Sequence, residues 1–513
     1  MRLRSTVGLI TTALSVAAVV ISPAVANAAK GATTKNGCIG SVPDPGSHAG
    51  VAICYTLFEP AGASASHKVP LIFHSHGWGG SRERSATSSQ IKPFLDAGYG
   101  VLSFDQRGFG QSGGHAQIEN PAYEGRDVER LVAMASRLSW VVQDGPGDPR
   151  IGAIGGSYGG GYQFVGAFRE ITDHHKQVFD ALAPQITWWD LKESLAPSGV
   201  AKTEWATLLT AAGVSALPQP VLAGFAESAA LGTWNDGTVP GTTDLNAFFA
   251  KNGPAWQVSQ GRHIDVPVLF GQGITDELFP LDQGLKNWAY ALTAKARRHS
   301  IFIGYNGGHV LPNAFPQSIQ PSGDPCSAKL THGKDFTALT IDFFNRYLKH
   351  QDVHLPGRNS YHLATASGTC TTTKSVVPDR TVSIGTVATP ELAGPPLATK
   401  IVDGPIRIAG TPYLTGAVTA LGVNNRAFYA LGIGTSPLDA KIVQGDMYPW
   451  ASTTPLNGRP AQVELPSVAV NVPKGQSLYL IAAATNDMFL GFGSRTPGVV
   501  IFDNAKVRLP VVR

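Results

Sequence analysis

One stretch of the sequence has the residue types and the spacing of a serine nucleophile. Residues 155–159 read Gly-Gly-Ser-Tyr-Gly, which fits the pattern G-x-S-x-G, in which a strand turns sharply into a helix. The apolar residues 151–154 precede the glycines as a buried strand, and residues 162–168 can continue as the helix. Glycines two positions on either side of the serine avoid the clash that a Cβ atom would make with the adjoining elements. We therefore predict that Ser157 is a nucleophile whose hydroxyl points out of a sheet.

A serine hydroxyl becomes reactive when a neighbouring base removes its proton and a third group orients that base. At such a turn in a parallel sheet, the acid and then the histidine follow the serine along the chain. Asp276 follows the strand at residues 266–270, so we predict that it lies at the same edge of the sheet as the serine. Glu277 and Asp282 are alternatives, whereas Asp265 precedes that strand and lies at its opposite end.

The candidate base is His309. It follows the strand at residues 300–303, and a pair of glycines separates it from the strand. Four other histidines do not follow the end of a strand: His263, His299, His332 and His350. The sequence thus predicts a triad of Ser157, Asp276 and His309, an arrangement that transfers acyl groups.

Acyl transfer also needs hydrogen-bond donors for the negative charge that develops on the carbonyl oxygen. The N–H of Tyr158, directly after the serine, is one predicted donor. The second is expected in residues 76–79 (His-Gly-Trp-Gly), after a strand that ends at Phe73, and the N–H of Trp78 is our choice. The Trp78 side chain either forms a wall of the substrate pocket or only packs beneath the rest of the chain.

A second glycine-rich stretch, residues 105–110, lacks the lysine and the spacing of a phosphate-binding loop. We expect Asp105 and Arg107 to fix neighbouring loops through hydrogen bonds and ion pairs. No cysteines form a C-x-x-C pair and no histidine pair has a convincing metal-binding arrangement, so neither a metal nor a cofactor is expected.

The elements that must position these residues follow from the hydrophobic pattern. Strand-like and helix-like runs alternate between residues 51 and 348, which is typical of a mainly parallel sheet covered on both faces. Residues 187–264 interrupt the alternation with helical pieces that are rich in aromatic residues: Trp188, Trp189, Trp205, Phe225 and Trp234. We expect this insertion to cap the site, with Trp188 and Trp189 as apolar walls of the pocket. The alternative is a helical addition that packs elsewhere.

After residue 351 the content of Thr, Val, Pro and Gly rises, and short strand-like runs replace the helices. These runs predict an antiparallel β-sandwich, and they lie at residues 361–366, 398–402, 406–409, 427–431, 477–482 and 507–512. The expected organisation is therefore a signal segment at 1–28, an α/β domain at 29–351 with the cap at 187–264, and a β-sandwich domain at 352–513.

The first 28 residues have the pattern of a secretory signal peptide, with a basic start, an apolar segment and Ala-Asn-Ala at 26–28. A membrane anchor is the alternative, and no later run is long enough to span a bilayer. Cleavage would lower the net charge from +4 to +2, which is too small to indicate a nucleic-acid or anionic-membrane partner. We expect a secreted protein that acts on a small molecule or a peptide.

Four cysteines are present, an even number that favours disulfide bonds in an exported chain. Three connectivities are possible. We choose the pairing of the cysteines nearest in sequence, Cys38 with Cys54 and Cys326 with Cys370.

Together these motifs resemble the X-Pro dipeptidyl-peptidase-like and cocaine esterase-like α/β-hydrolases. The resemblance rests on residues 105–112 (D-x-R-G-x-G-x-S), the turn at Ser157, Asp276 in a G-x-x-D loop, His309 and the trailing β-sandwich. It covers nearly all of the chain after the signal segment. It implies an α/β-hydrolase domain with a helical cap, followed by a jelly-roll domain.

One departure from the family pattern bears on the reaction. Family members usually carry a tyrosine in an R-x-P-Y context, after the strand corresponding to residues 69–73, and its phenol serves the oxyanion. This chain carries residues 76–79 there, which are similar to the loops of ordinary esterases and lipases. Hydrolysis of carboxylic esters is therefore expected rather than cleavage of peptides.

Three alternatives stay open. An X-Pro peptidase would need an acidic group for the substrate's ammonium, and the nearest candidates, equally readable as solvated helix charges, are Asp190, Glu193 and Glu204. A hydrolase of polymer-linked esters could bind carbohydrate through its β-sandwich, if that domain exposes aromatic residues such as Tyr361, Tyr413 or Trp450. A non-catalytic binding protein is the third alternative, although every triad position is intact.

Overall fold

A large mixed sheet carries the candidate site residues. The structure, a computed structural model, describes residues 31–174, 179–310, 316, 318–390, 394–445, 447–490 and 499–512. The predicted signal segment, residues 1–28, lies outside these ranges. No helix within them is long and apolar enough to cross a membrane.

The described residues up to 186 form six strands of the large sheet, a separate two-stranded sheet and three helices. The strands are β1 (Thr33–Ser41), β2 (Val51–Glu59), β3 (Leu71–Ser75), β4 (Gly100–Phe104), β5 (Gln143–Gly145), β6 (Asp148–Pro149), β7 (Ile151–Gly156) and β8 (Phe179–Gln185). The helices are α1 (Lys92–Asp96), α2 (Glu124–Ala135) and α3 (Tyr158–His174). Every residue of β3 and β4 is buried, as expected for central strands that are covered on both faces.

The predicted cap, residues 187–264, is helical. Its α-helices are α4 (Leu191–Leu195), α5 (Thr203–Ala212), α6 (Gln219–Leu231), α7 (Leu245–Phe249) and α8 (Pro254–Ser259). Short polar side chains begin two of them: the carboxylates of Asp190 and Asp244 accept hydrogen bonds from the N–H groups of Glu193 and Asn246. Gly232, in the left-handed conformation, ends α6.

The chain then completes the large sheet with β9 (Leu269–Gly273), β10 (Ile301–Tyr305), β12 (Tyr361–Ala364) and β13 (Cys370–Thr373). The short strand β11 (Ser318–Ile319) does not join it and pairs with residues 442–443 of a later sheet. The helices are α9 (Leu281–Lys286), α10 (Ala294–His299), α11 (Pro325–Leu330) and α12 (Phe336–Tyr347).

The strand order in the described part of the large sheet is β1-β2-β4-β3-β7-β8-β9-β10-β12-β13. The strands from β4 to β12 pair in parallel, and the strands at the two ends pair antiparallel. Helices α2 and α3 pack on one face of the sheet, and α1 and α12 pack on the other. The carboxyl ends of β3, β7, β9 and β10 therefore meet at one edge.

The position of β12 differs from the sequence-based expectation, which put residues 361–366 in the β-sandwich. Phe302 in β10 pairs in parallel with Tyr361, so this strand extends the large sheet instead. Tyr361 packs against Trp288 and Phe302 in the core of that sheet, and this burial outweighs the sandwich-like composition around it. The domain limits themselves stay a prediction.

The remaining strands form antiparallel sheets that pack as a β-sandwich. They are β14 (Arg380–Ala388), β15 (Leu397–Asp403), β16 (Ile406–Gly410), β17 (Tyr413–Ala420), β18 (Asn425–Gly434), β19 (Lys441–Val443), β20 (Tyr448–Ser452), β21 (Leu456–Glu464), β22 (Val468–Val472), β23 (Ser477–Ala483) and β24 (Val500–Leu509). One sheet is centred on β18 and β23, and another has the order β14-β24-β17-β21. The core between them is apolar and includes Tyr429, Leu480 and Phe502.

Both disulfides have the pairing that we chose from the sequence. Cys38 in β1 is bonded to Cys54 in β2, and Cys326 in α11 is bonded to Cys370 in β13. The second bond thus links a helix of the α/β domain to the last strand of the large sheet.

Two buried ion pairs hold the loop at residues 105–112, as expected for Asp105 and Arg107. The Asp105 carboxylate pairs with the Arg82 guanidinium and also accepts from the Arg82 N–H at 2.6 Å and the Gln111 N–H at 2.8 Å. The Arg107 guanidinium donates to both oxygens of Asp127, at 2.7 and 3.0 Å. The loop is thus fixed by fully desolvated charges.

The β-sandwich contacts the cap directly. The Thr203 hydroxyl of α5 donates to the carbonyl of Met488 and accepts from the N–H of Leu490. The Lys202 ammonium, which is fully buried, lies 5.9 Å from the centre of the Tyr448 ring in β20. The same ammonium donates to the carbonyl oxygen of Glu277 at 2.5 Å.

We expect the variant Arg107→Met to lower the free energy of unfolding by about 3–5 kcal/mol, because it leaves the buried Asp127 charge without its partner. The control is Lys92→Met, since Lys92 pairs with Asp96 on the surface and such pairs contribute about 0.5 kcal/mol or less. Urea unfolding followed by tryptophan fluorescence measures both. Equal midpoints for the two variants would contradict a structural role for the Arg107 pair.

Candidate active site

Ser157 lies at the sharp turn between β7 and α3. Its φ angle is 58°, a left-handed conformation that is unusual for a residue with a side chain. The turn is held by its own backbone: the Ser157 N–H donates to the carbonyl of Gln185 in β8, and the Ser157 carbonyl accepts from Gly160 at 2.8 Å. Such strain at an over-determined turn is typical of functional residues.

The flanking glycines are required by close backbone contacts. A Cβ atom on Gly155 would lie 2.4 Å from the carbonyl oxygen of Gly159, and one on Gly159 would lie 2.4 Å from that of Ser75. Real Cβ atoms do not come this close to backbone oxygens, so the elbow can approach β3 only with glycine at both positions.

His309 and Asp276 meet at the same edge of the sheet. The Nδ1 atom of His309 and the Oδ2 atom of Asp276 are 2.7 Å apart. The other carboxylate oxygen of Asp276 accepts from the N–H groups of Leu278 and Phe279, at 2.8 and 2.9 Å. Asp276 is buried, so these bonds fix both its position and the ring orientation of His309.

The loops of the acid and the histidine are packed against each other. A Cβ atom on Gly273 would lie 2.2 Å from the carbonyl oxygen of Gly307, and one on Gly308 would lie 2.7 Å from Oδ2 of Asp276. The N–H of Gly307 also donates to the Thr275 hydroxyl at 2.8 Å. Gly273 and Gly308 thus let the acid loop and the histidine loop approach each other.

The alternative acids have other partners. Glu277 accepts from the side-chain amide of Gln320, and Asp265 pairs with Lys295 on the surface. Asp282 is buried against Lys286 and the Tyr448 hydroxyl. The structure therefore brings Asp276, and none of these three, to His309.

The loop at residues 76–79 lies directly against Ser157. A Cβ atom on Gly77 would be 3.8 Å from that of Ser157. The ring of His76 fixes the loop, because its Nδ1 atom is 2.8 Å from the Gly77 carbonyl and its Nε2 atom accepts from the Gln106 N–H. Burial lowers the pKa of His76, so the ring is neutral at pH 7 and donates to that carbonyl.

The two predicted oxyanion donors belong to this region. Trp78 is in the loop beside Ser157, and Tyr158 is the first residue of α3. Among the hydrogen bonds of the described residues, none takes up the main-chain N–H of either. Their side chains pack edge to face, with ring centres 5.0 Å apart.

A small apolar cavity of about 40 Å³ adjoins Ser157. On the sheet side its walls include Trp78, Ile118, Tyr158, Leu278 and Phe279. On the cap side they are Trp188, Leu191, Leu195, Leu209, Leu217, Phe225 and Phe249. The ring of Phe279 also lies 5.4 Å from that of His309, so one side chain touches both the cavity and the candidate base.

Of the predicted wall residues, Trp78 and Trp188 line the cavity and Trp189 does not. The indole N–H of Trp78 donates to the main-chain carbonyl of Leu209 in the cap. The indole N–H of Trp188 donates to the main-chain carbonyl of Asn252. Trp189 packs instead on Tyr290, with ring centres 5.6 Å apart, so the two adjacent tryptophans have different surroundings.

Sequence reasoning missed most of the cap-side walls. Phe225 belonged to the aromatic cluster that suggested the cap, but the leucines of α4 and α5 did not stand out from any other apolar helix face. Phe279 is three residues after the predicted acid, and its proximity in sequence was the available signal.

A group of three carboxylates lies outside this cavity. Glu193, Asp282 and Glu464 are close enough to one another to share an ion. The Lys286 ammonium lies among them, at 2.7 Å from Glu193, 3.3 Å from Asp282 and 2.9 Å from Glu464. A lysine therefore supplies the positive charge that this group needs.

The sheet, the elbow and the cap define an α/β-hydrolase. Within that class, the family of the X-Pro dipeptidyl-peptidases (S15 family) matches residues 49–310, and the chain belongs to it. The match ends one residue after His309 and so covers all three candidate triad residues.

Several solved structures share the fold over nearly the whole chain. An α-amino acid ester hydrolase has a TM-score of 0.65 at 14% identity, covering 96% of this chain and 100% of that one. A CocE/NonD family hydrolase from Staphylococcus aureus has a TM-score of 0.63 at 13% identity, covering 93% and 94%. An aminopeptidase from the archaeon Thaumarchaeota archaeon has a TM-score of 0.64 at 12% identity, covering 97% and 99%.

The curated relatives found by sequence match a much smaller part of the chain. An uncharacterized 31.7 kDa protein from Escherichia coli is 33% identical over 103 residues, which are 20% of this chain and 34% of that protein. The chain thus spans about a third of the length of the curated relatives that it matches.

We expect Gly159→Ala to lower the free energy of unfolding by about 1–3 kcal/mol, because its Cβ atom would displace the backbone at Ser75. The matched control is Gly156→Ala, whose Cβ atom would meet its nearest neighbour at 3.5 Å, an ordinary contact. Chemical denaturation compares the two variants. If Gly159→Ala were as stable as Gly156→Ala, the elbow would not depend on this close approach.

Proposed function

We propose that the protein is a secreted serine hydrolase that cleaves carboxylic esters through an acyl-enzyme on Ser157, with His309 as the base and Asp276 as the orienting acid. The observation that carries this proposal is the bond of 2.7 Å between His309 and the buried Asp276, at the sheet edge that also presents Ser157. Membership of a family described as X-Pro dipeptidyl-peptidases supports a hydrolase that uses a serine nucleophile.

The reaction has two stages in this proposal. The Ser157 hydroxyl attacks the ester carbonyl carbon while its proton passes to Nε2 of His309. The bond to the alcohol oxygen then breaks, and His309 returns the proton to that oxygen. Water, deprotonated by His309, attacks the acyl-enzyme and releases the carboxylic acid and Ser157. The N–H groups of Trp78 and Tyr158 are the proposed donors to the oxyanion.

The cavity favours an ester substrate over an X-Pro peptide. Peptidases that remove dipeptides must bind an ammonium group, and the described lining residues include no acidic side chain. The candidate acids of the cap have other roles: Asp190 caps α4, and Glu193 pairs with Lys286. Glu204 is half-buried and is also absent from the described lining.

Two observations bear on the wider proposal. Two disulfides support export, for which the pattern of residues 1–28 is the sequence argument.

The aromatic residues that would support carbohydrate binding are not exposed: Tyr361 and Trp450 are buried, and Tyr413 is half-buried. A hydrolase of free, small esters is therefore the better proposal than one that is anchored to a polymer.

A fluorophosphonate probe should label Ser157 stoichiometrically, and Ser157→Ala should abolish both labelling and turnover. His309→Ala should lose several powers of ten in kcat, because both stages use this base, and Asp276→Asn should lose less, because its role is orientation. Mass spectrometry of the labelled peptide and steady-state kinetics measure these effects.

Glu277→Gln is the matched control, since Glu277 adjoins Asp276 but contacts Gln320. It should keep most of the turnover. Labelling of another serine, or a dead Glu277→Gln beside an active Asp276→Asn, would show that the triad has been misassigned.

Aryl esters should be hydrolysed faster than X-Pro amides, and acetylating the amine of an X-Pro substrate should change its rate little, because no described acid of the cavity binds the amine. Comparison of kcat/KM for the free and acetylated substrates measures this. A loss of rate of tenfold or more on acetylation would instead favour the dipeptidyl-peptidase.

A further inference from the structure

The cavity beside Ser157 presents hydrocarbon almost without interruption. Both tryptophans that line it have their indole N–H groups bonded to protein carbonyls, at Leu209 and Asn252. Burial, with the nearby carboxylates of Glu124 and Glu119, raises the pKa of Tyr158, so its phenol is uncharged. The described walls therefore offer no charge to a ligand.

An acyl group that enters this cavity must lose its hydration without regaining polar contacts. An ammonium or a carboxylate would lose several kcal/mol in such surroundings. A methylene group gains about 0.8 kcal/mol when it is buried, which is a factor of about four in binding. The walls thus favour uncharged acyl chains. The binding free energy improves with each added methylene group until the cavity is filled.

The cavity walls near the candidate nucleophile and the walls far from it come from different parts of the chain. The residues next to Ser157 come from the sheet edge, whereas the far side comes from the cap. There Phe225 and Phe249 pack on each other, with ring centres 5.7 Å apart, and each also packs on Trp234 behind them. This aromatic group closes the cap side of the cavity.

We propose that the substrate's acyl group is an uncharged aliphatic chain of intermediate length, which extends from Ser157 beneath the cap towards Phe225 and Phe249. This proposal rests on the acyl-enzyme proposed above. In this proposal the cap residues determine which chain lengths are accepted, and the contacts of the triad do not depend on chain length.

The test is a series of straight-chain p-nitrophenyl esters from acetate to dodecanoate, with the benzoate ester beside them, assayed with the full chain. We expect kcat/KM to rise by up to about fourfold per methylene, to at least tenfold above acetate at hexanoate, and then to level off. The 6-aminohexanoate ester should lose this gain, because its ammonium would enter the apolar cavity. A maximum at acetate or at benzoate, or equal rates for the two six-carbon esters, would overturn the proposal.

The variant Phe249→Ala should shift the plateau to longer chains, raising the ratio of decanoate to hexanoate at least threefold. Phe248→Ala is the matched control, because Phe248 is its neighbour in α7 but is absent from the described lining. Phe249→Leu serves if the alanine variant does not fold, and it should shift the same ratio to a smaller extent. An unchanged ratio in a folded Phe249 variant would exclude Phe249 as a wall of the acyl site.

These results are distinguishable from a failure of the proposed function. If Ser157 is labelled and Ser157→Ala is inactive while the ester series is flat, the hydrolase stands and the acyl assignment fails. If Ser157→Ala keeps its turnover, the acyl-enzyme itself is excluded, whatever the chain-length profile.

Discussion

The close approach of backbone to backbone at one edge of the large sheet is the constraint on which the candidate site depends. At the elbow, Gly155 and Gly159 let the chain contact the end of β3. Gly273 lets the acid loop contact the backbone of the histidine loop, and Gly308 lets the histidine loop contact the Asp276 side chain. Each position leaves no room for a Cβ atom. The side chains that could do chemistry are thus held by a scaffold of main-chain contacts, which no rotamer change can relax.

Buried polar groups hold the second layer of this scaffold. Asp105 and Arg107 are charged, desolvated and fully partnered, and each ties a loop near the site to a distant part of the chain. These ion pairs fix the position of the loops more than they raise the free energy of unfolding. The reason is that desolvating the two charges costs most of the free energy that their pairing provides. Removing one partner would leave an uncompensated charge, so the network stabilises one arrangement of the loops against all others.

The sequence located the candidate site residues better than the packing around them. The candidate nucleophile, acid and base all follow strand ends, and their order along the chain is set by topology, so spacing was sufficient to choose Asp276, the residue that lies against His309, over Glu277. Trp188 and Trp189 could not be distinguished in this way, because the residue types are identical and spacing does not decide which of two neighbours faces a cavity. The tertiary contacts of each side chain distinguish them.

Composition was the weaker guide in the second half of the chain. The runs around Ile408, Tyr429 and Leu480 were recognised as strands of the sandwich, since β-branched and apolar residues are dense there. The strand at Tyr361 has similar composition but joins the large sheet, because its partner is decided by a contact with β10 about sixty residues earlier. Composition indicates that a segment is extended and does not indicate which sheet it joins.

The contacts of the buried Lys202 ammonium bear on the order in which the α/β part of the chain and the β-sandwich fold. It donates to the carbonyl directly after Asp276, and it lies against the ring of Tyr448 from the sandwich. The loop of the candidate acid therefore takes its final surroundings only after residues some 170 positions further along have folded. During synthesis from the amino end, the triad segments emerge long before the part of the chain that completes their environment. A nascent or truncated chain would thus carry all three candidate groups and still lack their final surroundings.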